Sequence, residues 1–172
     1  MAILPIITAP DPRLKRVAVP VKTVDEEVCQ LMDNMLETMY AAPGVGLAAP
    51  QVGILTRVIV ADVSTAEEKR QPLCMVNPEI IRASTEKSVF EEGCLSLPEH
   101  FAEVERAERV TVRYLTYENE QCDEELNGFS SICVQHEIDH LDGILFVDHI
   151  SSLKRAMILR KLKKQQKANA KS

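Results

Sequence analysis

At 172 residues the chain is long enough to bury a substantial core as one domain. Its 45% hydrophobic and 27% charged residues are ordinary for a globular protein, and no apolar run approaches the ~20 residues needed to span a bilayer. The net charge of −6 hides an asymmetry: residues 151–172 carry eight Lys or Arg and no acid, leaving −14 on residues 1–150. Five cysteines at irregular spacing fit a reducing compartment rather than a disulfide framework. The opening Met1-Ala2-Ile3-Leu4-Pro5 has no basic n-region, cleavage pattern or Arg-rich transit segment, so the expected location is bacterial cytoplasm. Neither DNA nor a membrane is an expected partner.

Residues 1–22 are Pro-rich and irregular and are expected to wrap the domain. Thr23-x-x-Glu26 reads as a capping box opening a helix, with Val28, Leu31, Met32, Met35 and Met39 on one core-facing side. Gly44 can stop that helix, and Gly44 and Gly46 flank Val45 in an expected loop where backbone could lie against an extended ligand. Strands are expected at 57–62, 73–76, 80–84 and 109–116; in the last, Val110, Val112 and Tyr114 alternate with Thr111, Arg113 and Leu115. Residues 64–71 form a charged surface turn. A second helix is expected from Asn127-Gly128 to about Leu141, and a basic third helix follows, held to the body by Leu153, Met157 and Leu162. There is no internal repeat or linker. The elements suggest an α+β domain over 1–172, with 1–150 as body and 151–172 as basic tail.

The second helix carries His136-Glu137-Ile138-Asp139-His140. Positions i and i+4 share a helix face, so two imidazoles there can bind one metal, with Glu137 beside them as general base. Asp139 lies off that face, and Arg106 is a candidate partner for it. Many metalloproteases place a third ligand downstream in His-Glu-x-x-His-x-x-Gly-x-x-His. This chain follows that pattern to Gly143, but the next required position is Phe146, and no acid occurs after Asp148. The third ligand is then upstream, or is His149 in an unusual geometry, or is absent. Upstream, the best candidate is Cys94 in Glu91-Glu92-Gly93-Cys94-Leu95-Ser96-Leu97-Pro98, because thiolate suits zinc or ferrous iron. His100 and His149 read as surface or rim residues.

Three blocks stand together: Gly44-Val45-Gly46-Leu47-Ala48-Ala49-Pro50-Gln51, Glu92-Gly93-Cys94-Leu95-Ser96, and Gln135-His136-Glu137-Ile138-Asp139-His140-Leu141-Asp142-Gly143. Their order and spacing resemble the peptide deformylases, over nearly the whole chain. The resemblance implies removal of the N-formyl group from the initiator N-formylmethionine of nascent polypeptides, with release of formate. It implies antiparallel β-sheets around a central metal-binding helix, with an N-terminal and a C-terminal helix. It assigns the metal to Cys94, His136 and His140, general base and acid to Glu137, and the oxyanion to Gln51 and the Leu95 backbone N–H. Fe²⁺ is the implied native ion, with Zn²⁺, Ni²⁺ or Co²⁺ as substitutes. It places Gly44, Val45, Gly46, Phe90, Glu92, Gly93, Phe129, Ile132 and Cys133 around the substrate. It also implies a ribosome contact through the basic helix.

Two departures stand out. Family members often carry Arg shortly after the Cys motif, where this chain has Glu99-His100-Phe101, and residues 121–129 lack the longer apolar run expected before the motif helix. A zinc endopeptidase is disfavoured by Phe146, the acid-free tail and the Cys94 block. A non-catalytic ribosome-associated relative is disfavoured by the full chemical complement.

Overall fold

The computed structural model describes residues 2–170. Helix α1 spans Glu26–Ala41, but its cap is not Thr23. The Asp25 carboxylate accepts the Val28 N–H at 3.0 Å, satisfying one of the orphan donors of the first turn. After α1 the Gly44 N–H donates to Met39 O, and the chain then enters β1 (Gly46–Ala48), a short strand where a loop was expected.

Strands β2 (Val58–Ala61), β3 (Leu73–Ala83), β6 (Arg109–Leu115) and β7 (Gln121–Asn127) join β1 in an antiparallel sheet of order β1-β2-β3-β6-β7. The two strands expected at 73–76 and 80–84 are one strand with an irregularity between them. Asn77 there has φ +53 ahead of Pro78, and its side-chain amide bonds both the N–H and the C=O of Val21. A residue that disrupts the ladder thus ties down the N-terminal segment. Strand β7 explains the missing apolar run. An edge strand needs only one apolar face, and here only Leu126 is fully buried.

The sheet separates two layers of core. Within β2, Val58 and Val60 join α1's Met32, Met35 and Met39, while the intervening Ile59 joins Val134, Ile138 and Leu141 of helix α2 (Gly128–Leu141). This is the period-2 alternation of a strand buried on both faces. Burying each of those methionines contributes about 1.5–3 kcal/mol.

Strands β4 (Lys87–Cys94) and β5 (Leu97–Ala107) form a separate antiparallel hairpin that the sequence reading did not resolve. It shares a third cluster with Leu14, Leu145, Phe146 and Leu162 of helix α3 (Ser152–Ala170). The tail is anchored by Leu162 with Ile158 and Leu159, not by Leu153 and Met157, which are 72% and 46% exposed. The expected pair faces solvent because the apolar stripe of α3 lies one position further round the helix. Lys171 and Ser172 of the basic tail lie outside the described residues. Antiparallel sheets, a central helix and flanking helices make the α+β architecture that was expected.

Candidate active site

Helix α2 packs its Val134, Ile138 and Leu141 edge on the sheet, which turns His136 and His140 towards the β4–β5 hairpin. Cys94 ends β4 at a two-residue turn, Leu95-Ser96, before its partner Leu97 in β5. The hairpin therefore delivers a thiol to the helix face that carries the imidazoles. One ligand atom each from Cys94, His136 and His140 lies within 4.8 Å of the others, and Cys94 Sγ is 3.3 Å from His140 Nε2.

These residues fit a metal. Ligand distances of ~2.0–2.3 Å about a tetrahedral ion require donors about 3.3–3.8 Å apart. Burial, reinforced by neighbouring His136, holds the His140 pKa well below its usual range, which keeps a lone pair free. For His136 burial also works downward, but Glu137, Cys94 and Glu92 together raise its pKa well above the usual range. The same excess of buried negative charge favours a divalent cation over a proton. Among the described residues Phe146 and His149 are not ligands. Phe146 is buried with its ring stacked 6.2 Å from that of His136, and His149 Nε2 bonds Asp139 at 2.8 Å. The downstream routes to a third ligand are closed.

Glu92 does not line the cleft, contrary to expectation; it is buried beneath it. Its Oε1 bonds His136 Nδ1 at 2.9 Å, and both its oxygens receive the Arg106 guanidinium, at 2.6 and 3.0 Å. A third Arg106 nitrogen reaches Asp139 at 2.9 Å, so the partnership read between Arg106 and Asp139 holds within a larger network. Burial works to raise the Glu92 pKa, but hydrogen bonds from His136 and Arg106 outweigh it and hold the carboxyl ionised. A carboxylate on the distal nitrogen of a ligating His fixes the ring's tautomer and orientation.

Glu137 is 4% exposed, and its Oε1 has no hydrogen-bond partner within the protein. Burial, partly offset by His136, pushes its pKa up to about 7. That is a value suited to exchanging a proton near neutrality. Gly46 makes room for it: a Cβ on Gly46 would collide with Glu137 Oε2 and lie 2.9 Å from Cys133 Sγ. Gln51 is fixed from both ends. Its Oε1 accepts the Ala48 N–H at 2.9 Å, and its Nε2 lies 3.0 Å from Ser96 Oγ and 3.5 Å from Cys94 Sγ. Ser96, fully buried, is a site residue that the sequence reading gave no role; its only signal was its place two residues after Cys94.

These groups floor a cleft of about 710 Å³. Gly44, Val45, Gly46, Gln51, Gly93, Cys94, Leu95, His136 and Glu137 line it, together with Leu97–Phe101. Phe90, Phe129, Ile132 and Cys133 do not line it. Phe90 and Phe129 pair with each other at 6.1 Å, Ile132 is buried in helix packing, and Cys133 Sγ contacts Val45 O behind the wall. The helical face that carries Phe129, Ile132 and Cys133 is continuous with the metal site; Ile132 and Cys133 on it are buried, and Phe129 is 46% exposed.

Comparison with known proteins matches residues 3–156 to the polypeptide deformylase family model. A peptide deformylase of Phenylobacterium zucineum is 54% identical over 98% of this chain and 99% of its own. The crystal structure of peptide deformylase from Ehrlichia chaffeensis superposes with TM-score 0.93 at 38% identity, covering 98% of this chain and 99% of that one. A Met-Ala-Ser-bound deformylase of Acinetobacter baumannii superposes with TM-score 0.82 at 42% identity, covering 87% and 99%. With site geometry, fold and sequence in agreement over nearly its whole length, the chain belongs to the polypeptide deformylase family, metal-dependent hydrolases that remove the formyl group from N-formylmethionyl peptides.

Proposed function

We propose that Cys94, His136 and His140 hold one divalent ion, Fe²⁺ in the native enzyme with Zn²⁺, Ni²⁺ or Co²⁺ as substitutes, and that Glu137 is the general base and acid. The observation that carries this reading is the buried Glu137 oxygen left without a partner beside a three-donor cluster. When bound, the metal supplies Lewis-acid activation of water and of the formyl carbonyl. Glu137 takes a proton as water attacks the formyl carbon and gives it to the departing amine. The C–N bond breaks, and formate and a free methionyl amine leave. The Gln51 amide, oriented by Ala48 and Ser96, and the Leu95 N–H stabilise the oxygen that gains charge. Gly44, Val45, Gly46 and Gly93 let the peptide backbone lie close along the cleft. Formate release from N-formyl-Met-Ala by anaerobically prepared protein, loaded in turn with each ion, tests the assignment. Activity highest with Fe²⁺ and lost in Glu137→Ala supports it; equal activity in Glu137→Ala refutes it.

We also read residues 1–172 as one domain working in the cytoplasm, its basic tail docking on the ribosome where nascent chains emerge. Helix α3 exposes Lys154, Arg160, Lys161, Lys163, Lys164 and Lys167, which suits a polyanion. Deleting residues 163–172 leaves the Leu162 anchor in place and is expected to abolish salt-sensitive cosedimentation with ribosomes. Unchanged cosedimentation would defeat the docking reading.

A further inference from the structure

One short piece of chain reaches His136 by two routes. The 3₁₀ turn Phe146–His149 opens with Phe146, whose ring stacks on that of His136 at 6.2 Å, and closes with His149, whose Nε2 lies 2.8 Å from Asp139 Oδ2. A carboxylate oxygen accepts, so His149 presents Nε2–H as a donor. His149 does not line the cleft and is not among the three clustered ligand donors.

Asp139 is the joint. Its Oδ2 also takes the Arg106 Nη1–H at 2.9 Å, and the other two Arg106 nitrogens are committed to the two oxygens of Glu92, which holds His136 Nδ1. Four links, with every contact between 2.6 and 3.0 Å, therefore run from His149 to a candidate metal ligand. Exposure falls along them: the side chains are 37% exposed at His149 and 20% at Asp139, but 5% at Arg106 and 6% at Glu92.

An exposed His–Asp pair alone contributes little, because water competes for both groups. Here the carboxylate's other partner is a guanidinium almost out of water's reach. Its donors form a rigid planar fork, so the contact to Asp139 and the two to Glu92 share one orientation. An Asp139 side chain free to swing into solvent would take away one of the three tethers, and the plane that aims Glu92 at His136 could tilt. The turn holds His149 in place. Asp148 accepts the Leu145 N–H at 2.8 Å and the Arg155 Nε–H at 2.7 Å, and it also pairs with Lys15.

We infer that His149 is a positioning residue for the metal site: its Nε2–H holds Asp139 against Arg106, and through Glu92 this fixes the His136 ring for the ion. The inference rests on the assignment of Cys94, His136 and His140 as ligands.

The test uses Co²⁺ as the probe, added to metal-free protein without oxygen and competed away with a chelator. A thiolate-to-cobalt charge-transfer band that Cys94→Ser abolishes shows that the ion measured is at this site. Losing the partner directly on a ligating His costs about 10–100-fold in affinity, so for His149, three links further out and partly exposed, His149→Ala is expected to raise the Co²⁺ dissociation constant about three- to fivefold. His149→Gln keeps an N–H donor of similar reach and restores most of the affinity. His149→Phe keeps a ring without the donor and behaves as His149→Ala does. Asp139→Ala weakens binding at least as far, and adding His149→Ala to it changes nothing more. A dissociation constant unmoved by His149→Ala overturns the inference. So does recovery by Phe as full as that by Gln, which would trace the effect to packing. So does a full His149→Ala effect that persists in Asp139→Ala, which would send it by another route. Wild-type protein that binds Co²⁺ without the thiolate band would fell the ligand assignment, and this inference with it.

Discussion

The floor and the rim of the cleft are built on opposite plans. On the floor, every polar group is buried and almost every one is held by another: Gln51 by Ala48 and Ser96, His136 by Glu92, and Glu92 by Arg106. Glu137 and His140 are the exceptions, with Glu137 Oε1 and His140 Nδ1 unclaimed. On the rim, the side chains of Val45, Glu99 and Phe101 are exposed and, among the described residues, none makes a polar contact. Preorganised groups accelerate chemistry because they need not rearrange as charge develops. Open groups sort substrates because their partners arrive with the peptide. Changes on the floor should therefore act on the rate of every substrate, and changes on the rim on the ratio between substrates.

The largest effect is expected at Glu137. Glu137→Ala should lower kcat by about 10²–10⁴ while the metal stays bound, because the carboxylate is not a ligand. Metal analysis on the same sample as the rate assay checks both halves. A variant that lost its metal would show that the carboxylate holds the site together. Gln51→Ala comes next, with kcat/KM falling about 10²–10³ across peptides of any sequence. If the loss varied with the residue after methionine, Gln51 would belong to the rim.

The floor was far more legible in the sequence than its support. His136 and His140 announce themselves because i, i+4 spacing leaves two imidazoles one place to meet. Cys94 stands out among the cysteines because it alone follows a glycine and lies between the two other motif blocks. The resemblance places Glu92 around the substrate, yet strand alternation and the hairpin turn it under the site. That fact depends on β4 pairing with β5, and Lys87–Cys94 has no clean alternation to signal a strand. Phe129, Ile132 and Cys133 show the complementary error. Helical spacing put them on the face of His136, but it could not tell which part of that face is buried, as at Ile132 and Cys133, and which is exposed outside the cleft, as at Phe129. The cap of α1 was misread for a local reason. Thr23 and Asp25 both offer an oxygen before Glu26, and only the chain path, with Val24 N–H donated to Asn119, selects Asp25.

Because Glu92 supports the site without touching substrate, its loss should be felt in metal retention. Glu92→Gln keeps the shape but weakens the acceptor for His136 Nδ1 and leaves Arg106 with less charge to meet. The metal dissociation constant is expected to rise about 10–100-fold. Competition with a chelator measures this directly, and the fully loaded variant should recover most of its kcat. A variant that retained metal normally but turned over slowly would assign Glu92 a part in the chemistry instead.

The smallest effect is expected where the same pairing occurs without burial. Arg113 meets both oxygens of Asp123, at 2.8 and 3.0 Å, much as Arg106 meets Glu92. That pair, though, joins β6 and β7 on the solvated face of the sheet, with both side chains more than 40% exposed. Water and salt compete for each charge there, so the geometry alone fixes little. Arg113→Gln should leave the melting temperature, metal affinity and kcat/KM indistinguishable from wild type. A clear drop in melting temperature would mean that the outer edge of the sheet depends on its charge ladder, and that burial is not what separates the ion pairs that matter here from those that do not.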